Sequence, residues 1–191
     1  MLRTHLTEQW GLRYPILGAP MAGTADGKLA RAITRAGGLG QIGTSGQTPL
    51  EYLEEEASIA RGDDDSRFGV GLMIWALQER PELFDAALAT RPFVLSMSFG
   101  SPAPYVERAH KAGSLVATQV NTVAAAREAE AAGVDLIVAQ GTESGGHTGF
   151  VSTLPLLQGV LEAVSVPVVA AGGIATGRGL AAVLAAGAHG A

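Results

Sequence analysis

Cysteine is absent from this chain of 191 residues, which excludes disulfide bridges, thiolate nucleophiles and thiolate metal sites. Clusters of Lys and Arg are also lacking and the formal net charge is −5, which argues against nucleic acid as a partner. No apolar run approaches the roughly 18 residues of a membrane span, and the first residues lack the apolar core of a signal peptide. We therefore expect a cytoplasmic protein that binds neither nucleic acid nor membrane.

Two catalytic sequence motifs are missing as well, namely a Ser nucleophile elbow and a P-loop. The segment Gly38–Gly43 does spell G-x-G-x-x-G, but a predicted helix precedes it and its glycines run into a strand. A dinucleotide-binding fingerprint has the opposite context, because it follows a strand and opens a helix. A helix cap that leads into a strand explains this segment better than a Rossmann nucleotide site.

The chain does contain a regular alternation of short apolar runs with Ala-rich segments. Hydrophobic residues make up 47% of the sequence and charged residues 16%, which argues against extended disorder. The apolar runs predict buried parallel strands at Pro15–Ala19, Leu39–Gly43, Phe68–Leu72, Phe93–Met97, Leu115–Gln119, Leu136–Gln140 and Val168–Ala171. The Ala-rich segments predict helices near Lys28–Ala36, Leu50–Ala60, Glu82–Ala89, Tyr105–Ala112, Val123–Ala132, Leu156–Val164 and Gly179–Ala186.

Seven predicted βα units favour an α/β fold of the (β/α)8 TIM-barrel type over a doubly wound sheet, which usually has fewer strands. Residues Ala188–Ala191 look like the beginning of an eighth strand. We therefore expect residues 1–191 to form a single TIM-barrel domain that is truncated after the seventh unit of a longer protein. The alternative is a seven-stranded or partly open barrel. A partner would then have to cover its open apolar strand edges, because such edges promote aggregation.

The most informative segment is the glycine-rich loop Gly141–Gly149, which follows the sixth predicted strand. Its glycines allow a flat or phosphorylated ligand to approach the backbone closely. His147 could accept a carbon-acid proton or, when protonated, hold an anionic substrate, and the alternative is a structural loop histidine. Glu143 and His147 could share a metal ion, but no suitable third ligand lies nearby, so we predict no metal site.

Other strand ends supply further candidate residues. Gly172 and Gly173 follow the seventh predicted strand, where the backbone N–H groups of TIM barrels often bind phosphate. Gln119 and Gln140 end the fifth and sixth strands, and their amides could bond to a heterocycle or simply begin loops. The turn Ala19–Met21 could touch a cofactor ring or be a plain Pro-Gly turn. Flavin mononucleotide (FMN) would suit this arrangement, with its phosphate near Gly172 and its ring toward the histidine of the glycine-rich loop.

These motifs resemble those of the nitronate monooxygenase family, and the resemblance covers essentially the whole chain. It rests on Ala19-Pro20-Met21, Ala36 to Gly40, Ala139-Gln140-Gly141, Glu143 to His147, and Ala171 to Ile174. The resemblance implies an FMN-dependent TIM barrel that oxidises alkyl nitronates with O2 to a carbonyl compound and nitrite, with a homodimer as a family-level expectation. It also implies that His147 is the catalytic histidine and that FMN contacts Ala19, Pro20, Met21, Gln119, Gln140, Gly145, Gly146, Gly172 and Gly173.

The chain departs from the family pattern in three ways. Gly71 stands where many members carry Asn, so a side-chain contact to the flavin would be missing. Gln119 stands where some members carry Lys, and a neutral amide would stabilise an anionic reduced flavin less. The Gly-Thr-Arg-Phe segment of strand eight is absent. The alternative functions are an NAD(P)H-dependent flavin reductase that acts on an enoyl thioester or a quinone, and an inactive truncated homologue.

Overall fold

The computed structural model describes residues 2–191, in which helices alternate with parallel strands. The strands are β1 (Gln41–Gly43), β2 (Gly69–Met73), β3 (Val94–Ser98), β4 (Leu115–Val120), β5 (Leu136–Gln140) and β6 (Val168–Ala171). The helices are α1 (His5–Glu8), α2 (Gly27–Ala36), α3 (Leu50–Arg61), α4 (Ile74–Glu79), α5 (Glu82–Ala89), α6 (Ala103–Lys111), α7 (Val123–Ala131), α8 (Thr153–Ala163) and α9 (Gly177–Ala185). These residues fall into two compact units, Leu17–Val116 and the segment ending at Ile16 together with Ala117–Ala191. The expectation of a single domain stays a prediction.

The unit Leu17–Val116 contains β1, β2 and β3, which pair in parallel in that order. All three residues of β1 are buried, and so are the first four residues of both β2 and β3. The helices are fixed at their ends by side chains: Asp26 caps α2 through the Leu29 N–H, and Glu56 accepts from the Gly27 N–H at 2.6 Å. Because β1, β2 and β3 are parallel, their carboxyl ends lie along one edge of this unit.

The other unit contains β4 from Ala117 onward together with β5 and β6, and these strands also pair in parallel in chain order. Helix α8 packs against β5 and β6, and its Leu157 and Val160 are fully buried, as is Leu136 of β5. Burying each of these side chains contributes about 1.5–3 kcal/mol relative to leaving it in water. The register joins Gln140 to Ala171, so the loops that follow β5 and β6 start side by side.

The predicted strand Pro15–Ala19 is wrong, because this segment makes only an isolated parallel bridge between Leu17 and Leu39. Within that bridge, the Gly18 N–H donates to the Leu39 carbonyl at 2.8 Å. Pro15 has no N–H to donate, and the Ile16 N–H bonds locally to the Tyr14 carbonyl. The donors that would extend a ladder are therefore lacking or already used.

Residues Ala188–Ala191 make hydrogen bonds on both sides, as we expect for the beginning of an eighth strand. The His189 N–H donates to the Val168 carbonyl at 2.7 Å, and the Ala170 N–H donates to the Gly190 carbonyl at 3.0 Å. On the other side, the Ala191 N–H donates to the Pro15 carbonyl at 3.0 Å. This short segment therefore lies between β6 and the segment that ends at Ile16.

Glycines follow the carboxyl ends of four helices. Gly37, Gly113, Gly133 and Gly187 all have positive φ values and end α2, α6, α7 and α9 in a left-handed conformation. Two short helices, α1 and α4, were not predicted, because each is little more than one turn. Helices α8 and α9 begin two or three residues before their predicted starts, since Ser152 and Thr176 are their N-caps. Within residues 2–191, no helix is long and apolar enough to cross a membrane.

Candidate functional site

A cluster of side-chain amides lies at the carboxyl ends of β4 and β5. The Gln119 Nε2 donates to Gln140 Oε1, and Asn121 Nδ2 donates to the same oxygen at 3.1 Å and to the Gln140 carbonyl at 2.9 Å. Gln140 Nε2 in turn lies 3.4 Å from the Gly145 carbonyl. The structure thus brings together Gln119, Gln140 and Gly145, and the network fixes which way each amide faces.

Asn121 was missed in the sequence analysis. It bonds to Gln140 at the start of the glycine-rich loop, and a Cβ on Gly149 at the loop's far end would lie 2.6 Å from the Asn121 Cβ. Asn121 therefore holds both ends of this loop, and any side chain at position 149 would displace it. The signal that could have found it is a second amide two residues after Gln119, just past a strand end.

The middle of the glycine-rich loop is open. A Cβ built on either Gly145 or Gly146 would have no heavy atom within 4 Å, and both residues are exposed. Gly146 also has φ of +76°, a conformation that glycine adopts without strain. His147 follows directly and is exposed to solvent. The loop therefore presents bare backbone beside an imidazole, which suits close approach by a flat ligand.

The Glu143 carboxylate is bonded to the beginning of α8. Its Oε2 accepts from the Thr153 N–H at 2.8 Å and from the Thr153 hydroxyl at 2.9 Å, while the N-cap residue Ser152 makes no side-chain cap bond. The main-chain bond, followed by the hydroxyl bond, holds the pKa of the Glu143 carboxyl below its usual value. Glu143 is therefore ionised near neutral pH and is engaged with the helix N-terminus.

The loop after β6 packs directly on the loop after β5. Gly172 and Gly173 have φ of +118° and +71°. A Cβ on Gly172 would lie 2.5 Å from the Thr153 hydroxyl oxygen, and one on Gly173 would lie 3.3 Å from the Glu143 Cβ. Only glycine fits at Gly172, for reasons of both space and backbone conformation. Within this unit, the predicted residues at the carboxyl ends of β4, β5 and β6 form one cluster.

The predicted turn Ala19–Met21 belongs to the unit Leu17–Val116. A Cβ on Gly43 would lie 2.3 Å from the Met21 carbonyl carbon, and one on Gly71 would lie 2.3 Å from the Pro20 Cβ. Glycine at the end of β1 and in the middle of β2 therefore makes room for this turn, and the Met21 side chain remains exposed. The same contact accounts for glycine at position 71, because the Pro20 ring fills the space that a side chain would need.

The chain is similar to a known protein family and to proteins of known function. Residues 82–191 match the family model described as nitronate monooxygenase. A curated protein of Rhodococcus jostii, (3aS,4S,5R,7aS)-5-hydroxy-7a-methyl-1-oxo-octahydro-1H-indene-4-carboxyl-CoA dehydrogenase, is 37% identical over 191 residues, covering 99% of this chain and 53% of the relative. The chain thus spans about half the length of that curated relative.

Two solved structures are similar along nearly the whole chain. FabK from Thermotoga maritima matches with a TM-score of 0.91 and 38% identity, over 98% of this chain and 60% of that protein. Nitroalkane oxidase from Streptomyces ansochromogenes matches with a TM-score of 0.81 and 34% identity, over 93% and 64% respectively. These matches and the parallel βα order confirm the predicted α/β TIM-barrel fold class.

Proposed function

The chain belongs to the nitronate monooxygenase family, and on that premise we propose that it binds FMN and oxidises alkyl nitronates with O2 to a carbonyl compound and nitrite. The family is one of oxidoreductases, and relatives carry the names of a dehydrogenase and an oxidase. The observation that supports the proposal best is the open backbone of Gly145 and Gly146 beside His147. We further propose a cytoplasmic homodimer whose substrates are small molecules.

The residues present fit an FMN group. The open faces of Gly145 and Gly146 leave room for a flat ring system, and Gly172 and Gly173 would offer main-chain N–H groups to the phosphate. We assign the remaining cofactor contacts to Ala19, Pro20, Met21, Gln119 and Gln140. When bound, FMN would supply the redox chemistry, whereas the protein would bind and orient the substrate.

His147 is the residue to which we assign the acid–base role. Between Gly141 and Gly149 only Glu143 and His147 carry titratable side chains. Glu143 is ionised and accepts two bonds from Thr153, so it has no proton to donate. That leaves His147 to hold an anionic nitronate when protonated, or to accept a proton from the corresponding carbon acid.

Replacing His147 by Ala tests this assignment. We expect turnover to fall about 10²- to 10⁴-fold, the usual contribution of a general acid or base, while FMN is retained. Nitrite release in air measures turnover: a propyl nitronate tests the anion-holding role, and the nitropropane that is its carbon acid tests the role as a base. Flavin absorbance after gel filtration measures retention. His110→Ala on the exposed face of α6 is the matched control and should behave like the wild type. Equal loss of flavin and turnover would make His147 a structural residue, and a wild type without nitrite release would refute the nitronate function.

A second candidate is an NAD(P)H-dependent flavin reductase that acts on an enoyl thioester or a quinone. The name of the Rhodococcus jostii relative, a carboxyl-CoA dehydrogenase, favours a CoA thioester as the substrate. Anaerobic mixing with NADH or NADPH separates the two candidates, because a reductase bleaches the flavin rapidly. Rapid bleaching would overturn the nitronate-only proposal, and bleaching by the nitronate alone would support it.

A further inference from the structure

We propose that Glu143 and Thr153 are positioning residues, which hold the loop that carries His147 against the loop that follows β6. The inference rests on the proposed function, because that function assigns the reaction to His147. It goes further by identifying the side chains that set where His147 lies. Both residues act through the loop and neither is assigned a contact with the substrate.

Glu143 and Thr153 stand on either side of His147 in the chain and are joined by two hydrogen bonds. The bonds to Glu143 Oε2, at 2.8 Å from the Thr153 N–H and 2.9 Å from its hydroxyl, close the intervening residues into a loop. That loop contains three glycines, so it loses more conformational entropy on ordering than an ordinary loop. A bond across its base offsets part of this cost and restricts the positions open to the imidazole.

The Thr153 hydroxyl extends the connection to the end of β6. Its oxygen lies 3.0 Å from the Gly172 carbonyl and 3.3 Å from the Ala171 carbonyl, as well as 2.9 Å from Glu143. Thr153 is buried, and a Cβ on Gly172 would lie only 2.5 Å from this hydroxyl. The hydroxyl has one proton for three acceptors, so it donates to the Glu143 carboxylate or to a carbonyl at the end of β6. Its position between the two loops means that displacement of either loop disturbs the other.

We expect the fold to tolerate removal of this connection, because other hydrogen bonds close the same loop. The Thr142 N–H donates to the Val151 carbonyl at 3.1 Å, and this main-chain bond closes the same loop independently of Glu143. Ser144 also bonds through its hydroxyl to the Gly141 carbonyl at 2.6 Å. Loss of the Glu143 carboxylate should therefore loosen the loop around His147 and leave α8 and β5 folded.

The first measurement is hydrogen–deuterium exchange of loop peptides in the apoprotein, which needs neither flavin nor activity. In Thr153→Val, which loses the hydroxyl bond, we expect the loop amides to exchange roughly 2- to 10-fold faster, as the loss of one hydrogen bond predicts. Glu143→Ala loses both bonds and should accelerate exchange at least as much. Thr153→Ser keeps the hydroxyl and should match the wild type. Glu162→Gln, a carboxylate-to-amide change at an exposed position of α8, is the control and should also leave exchange unchanged.

The second measurement is steady-state turnover by the FMN-loaded protein. We expect kcat to fall by up to about 10²-fold in Glu143→Ala, because a small misplacement of a reacting group costs that much, with a smaller change in KM. Thr153→Ser should restore what Thr153→Val loses. The proposal would be overturned if Glu143→Ala had the same loop exchange rates and the same kcat as the wild type. It would also be overturned if Glu143→Ala had a lower melting temperature but an unchanged kcat. If the wild type lacks turnover, the proposed function fails and the exchange data alone decide the positioning role.

Discussion

Gly145 allows the proposed FMN site to be tested without disturbing the fold. A Cβ at this position would meet no heavy atom within 4 Å, and the backbone is not in the left-handed region. Gly145→Ala should therefore create no clash within the protein. It should even stabilise the native state by about 0.4–1 kcal/mol, because alanine restricts the unfolded chain.

The same methyl group would project into the space that we assign to the flavin. Filling a well-packed contact with one extra carbon costs about 1–3 kcal/mol, which corresponds to roughly a 5- to 150-fold weaker Kd for FMN. The neighbouring Gly146→Ala should differ, because φ of +76° strains alanine. That substitution should destabilise the fold by about 1–2 kcal/mol in addition to any effect on binding.

Urea denaturation of the apoprotein measures stability, and quenching of FMN fluorescence measures binding. Gly179→Ala in α9, where the added Cβ would meet ordinary contacts at 3.5 Å or more, is the control that should retain FMN affinity. Opposite signs of the two effects in Gly145→Ala, stability up and affinity down, are the expected result. An unchanged FMN affinity would refute the placement of the flavin against this loop, whatever the stability.

Two further predictions concern the fold. The pKa of His5 is lowered first by burial and then by the charge of His189, against a smaller opposing effect of Asp135. The unfolded chain therefore binds a proton at His5 more readily than the folded protein does. The contribution of His5 to stability should be complete above a pH of about 6.5, the pKa of histidine in the unfolded chain, and should be lost as the pH falls below that value. Urea midpoints between pH 7 and 5 should show this fall, and His5→Gln should reduce it. Gly71→Ala should destabilise the protein by about 1–3 kcal/mol, because its Cβ would lie 2.3 Å from the Pro20 Cβ; a melting temperature equal to the wild type would contradict that contact.

Strands with uniform apolar sequence were predicted to the residue. Leu136–Gln140 and Val168–Ala171 have the predicted bounds, because each is an uninterrupted apolar run that stops at a polar residue or before a glycine. Pro15–Ala19 has a similar composition but is not a strand, since local hydrogen bonds and the missing proline N–H outweigh hydrophobicity. Apolar composition predicted burial well, but it did not predict which carbonyl groups the backbone N–H groups would bond to.

The candidate site was predictable from residue types that seldom occur together at a strand end except to bind a ligand. The exposed His147 and the glycines beside it were identified because bare backbone and an imidazole at a strand end indicate ligand binding. The bonds between Glu143 and Thr153 could not be predicted, because they join residues across a glycine-rich loop whose path has no periodic pattern. Asn121 was accessible to the same reasoning as Gln119 and was overlooked. The sequence thus indicated the groups that we propose to face a ligand, but it did not indicate the groups that hold this loop in place.

The bonds of Ala188–Ala191 to both β6 and Pro15 have a consequence for biosynthesis. The segment that ends at Ile16 is made before the unit Leu17–Val116, yet it belongs to a unit whose other residues run from Ala117 onward. During synthesis the unit Leu17–Val116 can therefore assemble while the segment that ends at Ile16 has not yet met its partners. We expect this segment to stay exposed on the ribosome until Ala191 has been made and can bond to Pro15.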